Sequence, residues 1–367
     1  MIKNIKLLLS QPDTRAVALV FMALAITMGA FVTRLVEIKI KFGLGEAELG
    51  TALFFIPLGA VTLLPFYSKV IGKFGERQTT AWSICILLLA MIFPWYATDQ
   101  TWLMASFYLI GLSVGLTDVA MNAEVAEIER QNSKVIISSC HGFFSIGGMI
   151  GAILSSVFIA GSVSLSYQMM IIAFVLIAVL LPLFKHMINA PAHEAKAGGH
   201  FEFPTSKVLA FAVIGFCVMM SEGGITDWAT IFIKENLKVA GEYAGAGFAG
   251  FSLLMAIARF QGDSLHIRFG AKRLVIIGAL IAVIGLFLVL LQTPLWAIIG
   301  FSLAGLGYSV IVPILFSTAA KQEGVKPSKG IATVASSGYI GMLAGPVLIG
   351  FIADSYGLVN GFTFYLV

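Results

Sequence analysis

The chain has 367 residues, of which 59% are hydrophobic and only 11% are charged, and its mean hydropathy is +0.96. Soluble domains carry about 25% charged residues, so this composition excludes an ordinary water-soluble protein. The net charge of +4 comes from short loops between apolar runs and gives no indication of nucleic-acid binding. Apolar runs of about 20 residues predict membrane-spanning helices rather than the strands of a barrel.

In chain order, a short basic segment at 1–13 precedes the first apolar run. A six-helix bundle is then expected at 14–185, a polar linker at 186–206, and a second helix bundle at 207–367. The predicted fold is therefore an all-α polytopic membrane protein with two six-helix bundles related by a pseudo-twofold axis. Eleven spans are complete and a twelfth is truncated; they are expected at 15–38, 47–69, 80–97, 102–125, 135–159, 168–185, 207–231, 243–264, 272–292, 294–318 and 330–353, with the last opening near 359.

Basic residues cluster in alternate loops between these spans, as in 69–77 and 268–273, and also precede the first span. The positive-inside rule then predicts that both termini are cytoplasmic, in a multi-pass protein of the inner (plasma) membrane. The linker contains His186, His193 and His200, but Gly198-Gly199 would not hold a rigid cluster. We therefore expect a solvated linker and no metal site.

The two halves repeat one another. Lys73-Phe-Gly-Glu-Arg77 follows the second span, and Arg268-Phe-Gly-Ala-Lys272 follows the eighth. Two similar halves in the same orientation predict a binding site near the membrane midplane, between the halves.

The fourth span carries an acid inside an apolar helix. Gly111, Gly115, Asp118 and Asn122 are spaced by three or four residues and share one helix face. A charge inside a bilayer costs roughly 2.5–3.5 kcal/mol, so such a residue usually faces a cavity or a partner. We interpret this face as a wall of a transport pathway, and we predict that Asp118 binds the solute or the coupled proton.

Three further polar residues are candidates for the same site. Glu222 is the second choice for proton coupling, and Gly223-Gly224 beside it is expected to interrupt the helix and expose backbone to the solute. Arg259 and His141 lie at similar predicted depth and can form a polar cluster with Asp118. The alternatives are a structural pairing of Arg259 with Asp263 or a backbone carbonyl, and a role for His141 as a hydrogen-bonded packing residue.

Arg34 and Asp227 occupy matching positions in spans one and seven. They are predicted to form a gating ion pair across the pseudo-twofold; the equally weighted alternative is that both reach the membrane interface by snorkelling. Phe144, Trp228 and Tyr339 are candidates for stacking on the apolar face of a sugar, with ordinary core packing as the alternative.

The basic turn after span two, with its twin after span eight, resembles the G-x-x-x-D-R-x-G-R-R loop of the major facilitator superfamily. Asp118-Val-Ala-Met-Asn122, followed by Ser139-Cys-His-Gly-Phe-Phe-Ser-Ile-Gly147, resembles helices four and five of its fucose permease branch. This resemblance implies a proton-coupled sugar symporter in which Asp118 and Asn122 bind sugar and proton. The acid on the first helix of that branch has no counterpart here. We therefore expect the partner of Asp118 to be one of three residues: Arg259, His141 or Glu222.

Walker loops, dinucleotide fingerprints and metalloprotease motifs are absent from the sequence. We therefore expect no enzymatic activity and no cofactor, with the proton gradient as the energy source. The expected partners are a small solute, protons and the lipid bilayer, and the expected state is a monomer. The alternative function is a proton-driven exporter of drugs or metabolites. It is disfavoured because span five has Gly147-Gly148 but lacks the proline-glycine motif of such exporters. A receptor or scaffold is disfavoured because no large soluble domain is present.

Overall fold

The structure is a computed structural model that describes residues 5, 8–132, 136–188, 208–325 and 327–366. Over these ranges its regular elements are all helices, which confirms the predicted all-α class. In the described part of the chain, ten helical stretches are long and apolar enough to cross a membrane, and several of them consist of two consecutive helices. This follows from sequences that are hydrophobic around most of the helix circumference rather than on one stripe.

Before the linker, the described residues form α1 (Pro12–Val32), α2 (Leu35–Phe42), α3 (Glu46–Thr62), α4 (Leu64–Phe74), α5 (Glu76–Ala90), α6 (Phe93–Tyr96), α7 (Gln100–Asn132), α8 (Ile137–Ala160) and α9 (Leu165–Phe184). After it they form α10 (Leu209–Ile231), α11 (Gly241–Ala244), α12 (Ala246–Arg259), α13 (Gly262–Phe269), α14 (Ala271–Val289), α15 (Pro294–Tyr308), α16 (Ile311–Ala320), α17 (Pro327–Tyr356) and α18 (Leu358–Thr363). A π-turn (Phe232–Asn236) extends α10, and a 3₁₀ turn (Phe364–Leu366) follows α18.

Several predicted spans are divided between consecutive helices, and the eighth differs most from the prediction. The eighth, expected at 243–264, is divided among α11, α12 and α13, and none of the three is long enough alone to cross a membrane. The interruption expected at Gly223-Gly224 is wrong, because α10 is continuous through both glycines. A Cβ at Gly223 would lie 3.2 Å from the Met342 carbonyl oxygen, and one at Gly224 would lie 1.9 Å from the Tyr365 hydroxyl. These glycines make room for neighbours while the helical hydrogen bonds stay intact.

The described helices group into two compact units. The first comprises residues of Met1–Phe42 and Phe55–Ala197, and the second comprises residues of Gly43–Phe54 and Gly198–Val367. The second unit thus takes the beginning of α3 from the first half of the sequence. There Gly50 packs against Pro346 and Gly350 of α17.

Within the first unit, α1 and α8 are in backbone contact. A Cβ at Gly147 would lie 2.3 Å from the Met22 carbonyl oxygen, and one at Gly151 would lie 2.2 Å from that of Ile26. Lipid removes the hydrophobic force between membrane helices, so close approach of small residues provides much of their attraction. The glycines therefore fix the position of α8 on α1.

Within the second unit, α10 and α17 make the corresponding contact. A Cβ at Gly341 would lie 2.2 Å from the Phe216 carbonyl oxygen, and one at Gly345 would lie 2.2 Å from that of Met220. Span one on span five and span seven on span eleven are equivalent pairs in the predicted repeat. Each unit therefore contains an equivalent pair of helices in backbone contact.

Helices α14 and α15 of the second unit are joined by two reciprocal glycine contacts. A Cβ at Gly285 would lie 2.5 Å from the Gly300 carbonyl oxygen, and one at Gly300 would lie 2.4 Å from that of Gly285. Gly278 and Gly307 repeat this arrangement at 2.6 and 2.4 Å. No other residue type fits at these positions without separating the two helices.

The Gly111 contact predicts a specific loss of stability. A Cβ there would lie 1.8 Å from the Ile56 carbonyl oxygen, so Gly111→Ala should destabilise the protein by about 1–3 kcal/mol through overpacking. Gly72→Ala is the matched control, because this helical glycine has no neighbour within 4 Å of the added Cβ. Alanine favours helix formation, so the control should be neutral or stabilising by up to ~1 kcal/mol. Thermal unfolding in detergent compares the two, and equal effects would contradict the packing role of Gly111.

Candidate functional site

Asp118 and Asn122 lie one turn apart on α7, in the first unit, and both are half-buried. The Asn122 Nδ2 donates to the Asp118 carbonyl oxygen at 2.8 Å and to its Oδ1 at 3.2 Å. The amide therefore holds one oxygen of the carboxylate in place. This arrangement offers an acid and an amide together on one partly open helix face.

The two glycines of this stretch let neighbouring helices approach α7 closely. A Cβ at Gly111 would meet Ile56, and one at Gly115 would lie 2.0 Å from the Tyr67 hydroxyl and 2.8 Å from the Ala60 Cα. Their side of α7 is thus closed by α3 and α4 rather than open to a solute. The interpretation of Asp118 and Asn122 as part of a transport pathway stays a prediction.

His141 and Phe144 lie on α8 of the same unit, and both are half-buried. The His141 ring packs edge-on against Phe21 with the ring centroids 5.3 Å apart, and it is tilted against Phe144 at 6.5 Å. The structure therefore brings these two predicted site residues together. The cluster of His141 with Asp118 and Arg259 stays a prediction.

In the second unit, the structure brings Glu222 of α10 and Arg259 of α12 together as an ion pair. The Arg259 Nη2 lies 3.5 Å from the Glu222 Oε1, and the side chains are only 16% and 19% exposed, respectively. This distance exceeds the 2.7–2.9 Å of a charge-assisted hydrogen bond, so the contact is not a tight bridge. Tyr308 of α15 lies beside the pair, next to Ser221.

Three other predicted residues of the second unit have distinct surroundings. Trp228 is completely buried, and its Nε1 donates to the Pro346 carbonyl oxygen at 3.1 Å, so it joins α10 to α17. We therefore leave Trp228 out of the proposed site. Asp227 is half-buried, and Tyr339 is 41% exposed on α17.

Arg34 lies just after α1, is only 5% exposed, and forms a bidentate ion pair with Glu37. The Arg34 Nε donates to the Glu37 Oε1 at 2.7 Å, and Nη2 donates to Oε2 at 2.6 Å. The Arg34 Nη1 donates to the Gln168 Oε1 at 2.9 Å and to the Val163 carbonyl oxygen at 2.7 Å. All three nitrogens of the guanidinium therefore bond within the first unit. The gating pair of Arg34 with Asp227 stays a prediction.

The Arg34 network continues into the helix packing. Gln168 of α9 donates from Nε2 to the Ser155 Oγ at 2.6 Å, and Ser155 of α8 donates to the Ala30 carbonyl oxygen at 2.7 Å. A single connected set of hydrogen bonds thus links α1, α8 and α9. Buried networks of this kind are strongly stabilising only when every member has a partner.

Sequence reasoning missed Glu37 and Gln168 as partners of Arg34, and it missed Ser155 as the next member of the network. The available signal was Gln168, a polar residue in an otherwise apolar span. It also missed Tyr365, whose hydroxyl donates to the Gly345 carbonyl oxygen at 3.1 Å and rests on Gly224. No motif marks this tyrosine, and only its polar end in an apolar segment could have indicated it.

The residues described include no cluster of three or more potential metal-ligating side chains. Of the three linker histidines, His193 and His200 lie outside the described residues.

Comparisons with known proteins agree with this architecture. The family model of the Major Facilitator Superfamily matches residues 16–232 and 211–367. The chain belongs to the major facilitator superfamily. It is consequently a multi-pass membrane protein and a secondary transporter, not an enzyme.

Relatives with similar sequences cover nearly the whole chain. An uncharacterized MFS-type transporter of Yersinia pestis is 29% identical over 345 residues, which are 94% of this chain and 90% of that protein. Membrane protein MosC of Rhizobium meliloti is 28% identical over 362 residues, 96% of this chain and 86% of that protein.

Solved structures show the same fold at low identity. A mutant of the nucleoside transporter NupG superposes with a TM-score of 0.74 at 13% identity, covering 96% of this chain and 95% of that one. A bacterial homolog of the lysosomal transporter Spinster, inward-facing and occupied, gives 0.65 at 16% identity, covering 93% and 81%.

The Arg34 network predicts a second stability difference. Arg34→Met leaves the partly buried Glu37 carboxylate and the buried Gln168 Oε1 without their donor, and we expect a loss of about 3–5 kcal/mol in SDS-titration unfolding. Arg130→Met is the matched control, because Arg130 forms the same bidentate pair with Glu127 three residues away but is 66% exposed. Exposed pairs add little, so the control should stay close to wild type. Equal losses would refute the burial argument.

Proposed function

We propose that this transporter imports a small polar solute, a sugar or a chemically similar nutrient, by proton-coupled alternating access. The observation that carries the proposal is the Glu222–Arg259 pair between α10 and α12. Charged side chains among apolar helices are costly and usually belong to a solute or ion pathway. A pair with a 3.5 Å separation offers both an acceptor and a planar set of donors to a hydroxylated solute.

The first unit, taken by itself, also carries groups that can bind a polar solute. Asp118 and Asn122 present a carboxylate and an amide on one face of α7, and both groups hydrogen-bond hydroxyls well. Phe144 and the exposed ring of Tyr339 are suited to the apolar face of a sugar ring. Hydroxyl recognition by acids and amides, with aromatic stacking, supports a sugar-like solute over an apolar drug.

Proton coupling is assigned to Asp118 first and Glu222 second. A carboxyl group changes its charge when it takes up a proton, and this changes the cost of exposing it to an apolar environment. Protonation can therefore select which state of the transporter is stable. Asn122 beside Asp118 can donate to the ionised form and remain bonded to the neutral form.

The likeness to NupG supports the fold only, because the identity is 13%. NupG is a nucleoside transporter, and a nucleoside is a sugar joined to a base. A solute panel for this protein should therefore contain hexoses, deoxysugars, amino sugars, organic acids and nucleosides. Proton flux in proteoliposomes identifies the solute class, and its direction separates import from the exporter alternative.

Asp118→Asn tests the coupling role. The amide cannot carry the proton, so we expect proton-driven uptake to be lost while solute exchange between equal concentrations on both sides persists. Asp99→Asn is the control, since Asp99 lies immediately before α7 and accepts from the Trp102 amide nitrogen at 2.9 Å, a role that asparagine also performs. Full proton-driven uptake by Asp118→Asn would remove Asp118 from the coupling mechanism.

Glu222 and Arg259 are tested together by a double-mutant cycle. Glu222→Gln, Arg259→Gln and the double variant are compared by apparent solute affinity in the exchange assay. If the two side chains act as a unit, their effects should be non-additive, with a coupling of about 0.5–3 kcal/mol. Additive effects on solute affinity would show that they do not bind the solute jointly.

A further inference from the structure

Glu124 of α7 is a buried acid that the proposed transport site does not use. The side chain is 0% exposed, although it lies near the end of a long helix. Its Oε1 accepts a hydrogen bond from the Ile188 amide nitrogen, beyond the end of α9. Its Oε2 is buried and has no hydrogen-bond partner in the structure described.

Glu76, at the beginning of α5, is the second acid at this place. Its Oε2 is likewise buried and without a partner among the described residues, and its charge acts on Glu124. The Thr117 Oγ1 donates to the Ser83 Oγ at 3.0 Å, which fixes the register of the antiparallel helices α5 and α7. Glu76 precedes Ser83 by seven residues, and Glu124 follows Thr117 by seven. Both acids therefore lie about 10 Å along their helices from this hydrogen bond, at the same level.

Two threonine hydroxyls lie on α5 next to Glu76. Thr79 and Thr80 are both 0% exposed, and neither hydroxyl has a partner in the described part of the chain. Threonines in membrane helices usually bond to a carbonyl one turn back, as Thr27 and Thr51 do here. The buried hydroxyls of Thr79 and Thr80 can therefore bond to another group close to Glu76.

Two ionised carboxylates would repel one another strongly in this position. The other charged groups that act on Glu124 are Arg77 and Asp13, and Arg77 forms no ion pair with either acid within the described residues. Lys185 and His186 precede Ile188 on the remaining segment. A buried pair of carboxyl groups that lacks a bonded cation is stable when one proton is held between them.

We propose that Glu76 and Glu124 form a carboxyl pair that binds one proton, at a site separate from Asp118. The proton resides on one Oε2, with the other Oε2 or a threonine Oγ1 as its acceptor. Glu124 follows Asp118 by six residues, which places it about 120° away around α7 and on the side that faces α5. A proton needs no ion-sized cavity, and this favours it over a sodium ion.

Infrared spectroscopy of the purified protein tests this pair directly. The wild type should show a protonated-carboxyl band that is lost as the pH rises, and Glu124→Gln should lack that band. Glu76→Gln removes the neighbouring charge, so the remaining acid should lose its proton at a lower pH than in the wild type. Glutamine resembles the protonated acid, so Glu124→Gln should fold, and a size-exclusion profile confirms it.

Glu127→Gln is the control, and it should retain the band. Glu127 lies on the same helix but pairs with Arg130, so it has no reason to hold a proton. The proposal is overturned if Glu124→Gln keeps the full band. It is also overturned if sodium chloride removes the band at constant pH where choline chloride does not, since the site would then bind sodium. The infrared band does not measure transport. A missing band therefore bears on the carboxyl pair, and a failure of proton-coupled uptake bears on the proposed transport function.

Discussion

The need to provide every charged side chain with a partner among apolar helices governs the polar architecture of this protein. Arg34 shows the constraint most clearly: its guanidinium is buried, and Glu37, Gln168 and the Val163 carbonyl oxygen together accept from all three of its nitrogens. Glu222 and Arg259 also provide a charged partner for one another, at the longer distance of 3.5 Å. The two cases differ in the length and geometry of the ion pair: the Arg34 pair is bidentate, whereas the Arg259 pair has one contact at 3.5 Å.

Close packing of small residues determines how the helices within each unit contact one another. In each unit one helix pair, α1 with α8 or α10 with α17, meets at glycines whose absent side chains allow backbone contact. Each half therefore has an equivalent helix pair in backbone contact. What they share is the position of small residues on particular helix faces, together with the apolar length of the spans.

The fold class was predictable from the sequence because it depends on the length and composition of apolar runs, which are local properties. The continuity of α10 through Gly224 and the division of the eighth span after Arg259 could not be predicted from the sequence. Both depend on which neighbouring residues pack at those positions. The candidate site was partly predictable. Costly charges such as Asp118, Glu222 and Arg259 are visible in an apolar background, and the structure joins two of them. The partners of polar side chains are not visible in the sequence. It does not show that Arg34 donates to Gln168 or that Trp228 donates to the Pro346 carbonyl oxygen.

The reciprocal contacts between α14 and α15 have a mechanical consequence. Gly285 against Gly300 and Gly278 against Gly307 place backbone on backbone at two levels of the helical hairpin. Sliding or rotating one helix on the other would drive Cα atoms into carbonyl oxygens, so the hairpin can move only as a single block. During a transport cycle the deformation must therefore be absorbed at other helix contacts, and one spectroscopic label on either helix would report the displacement of both.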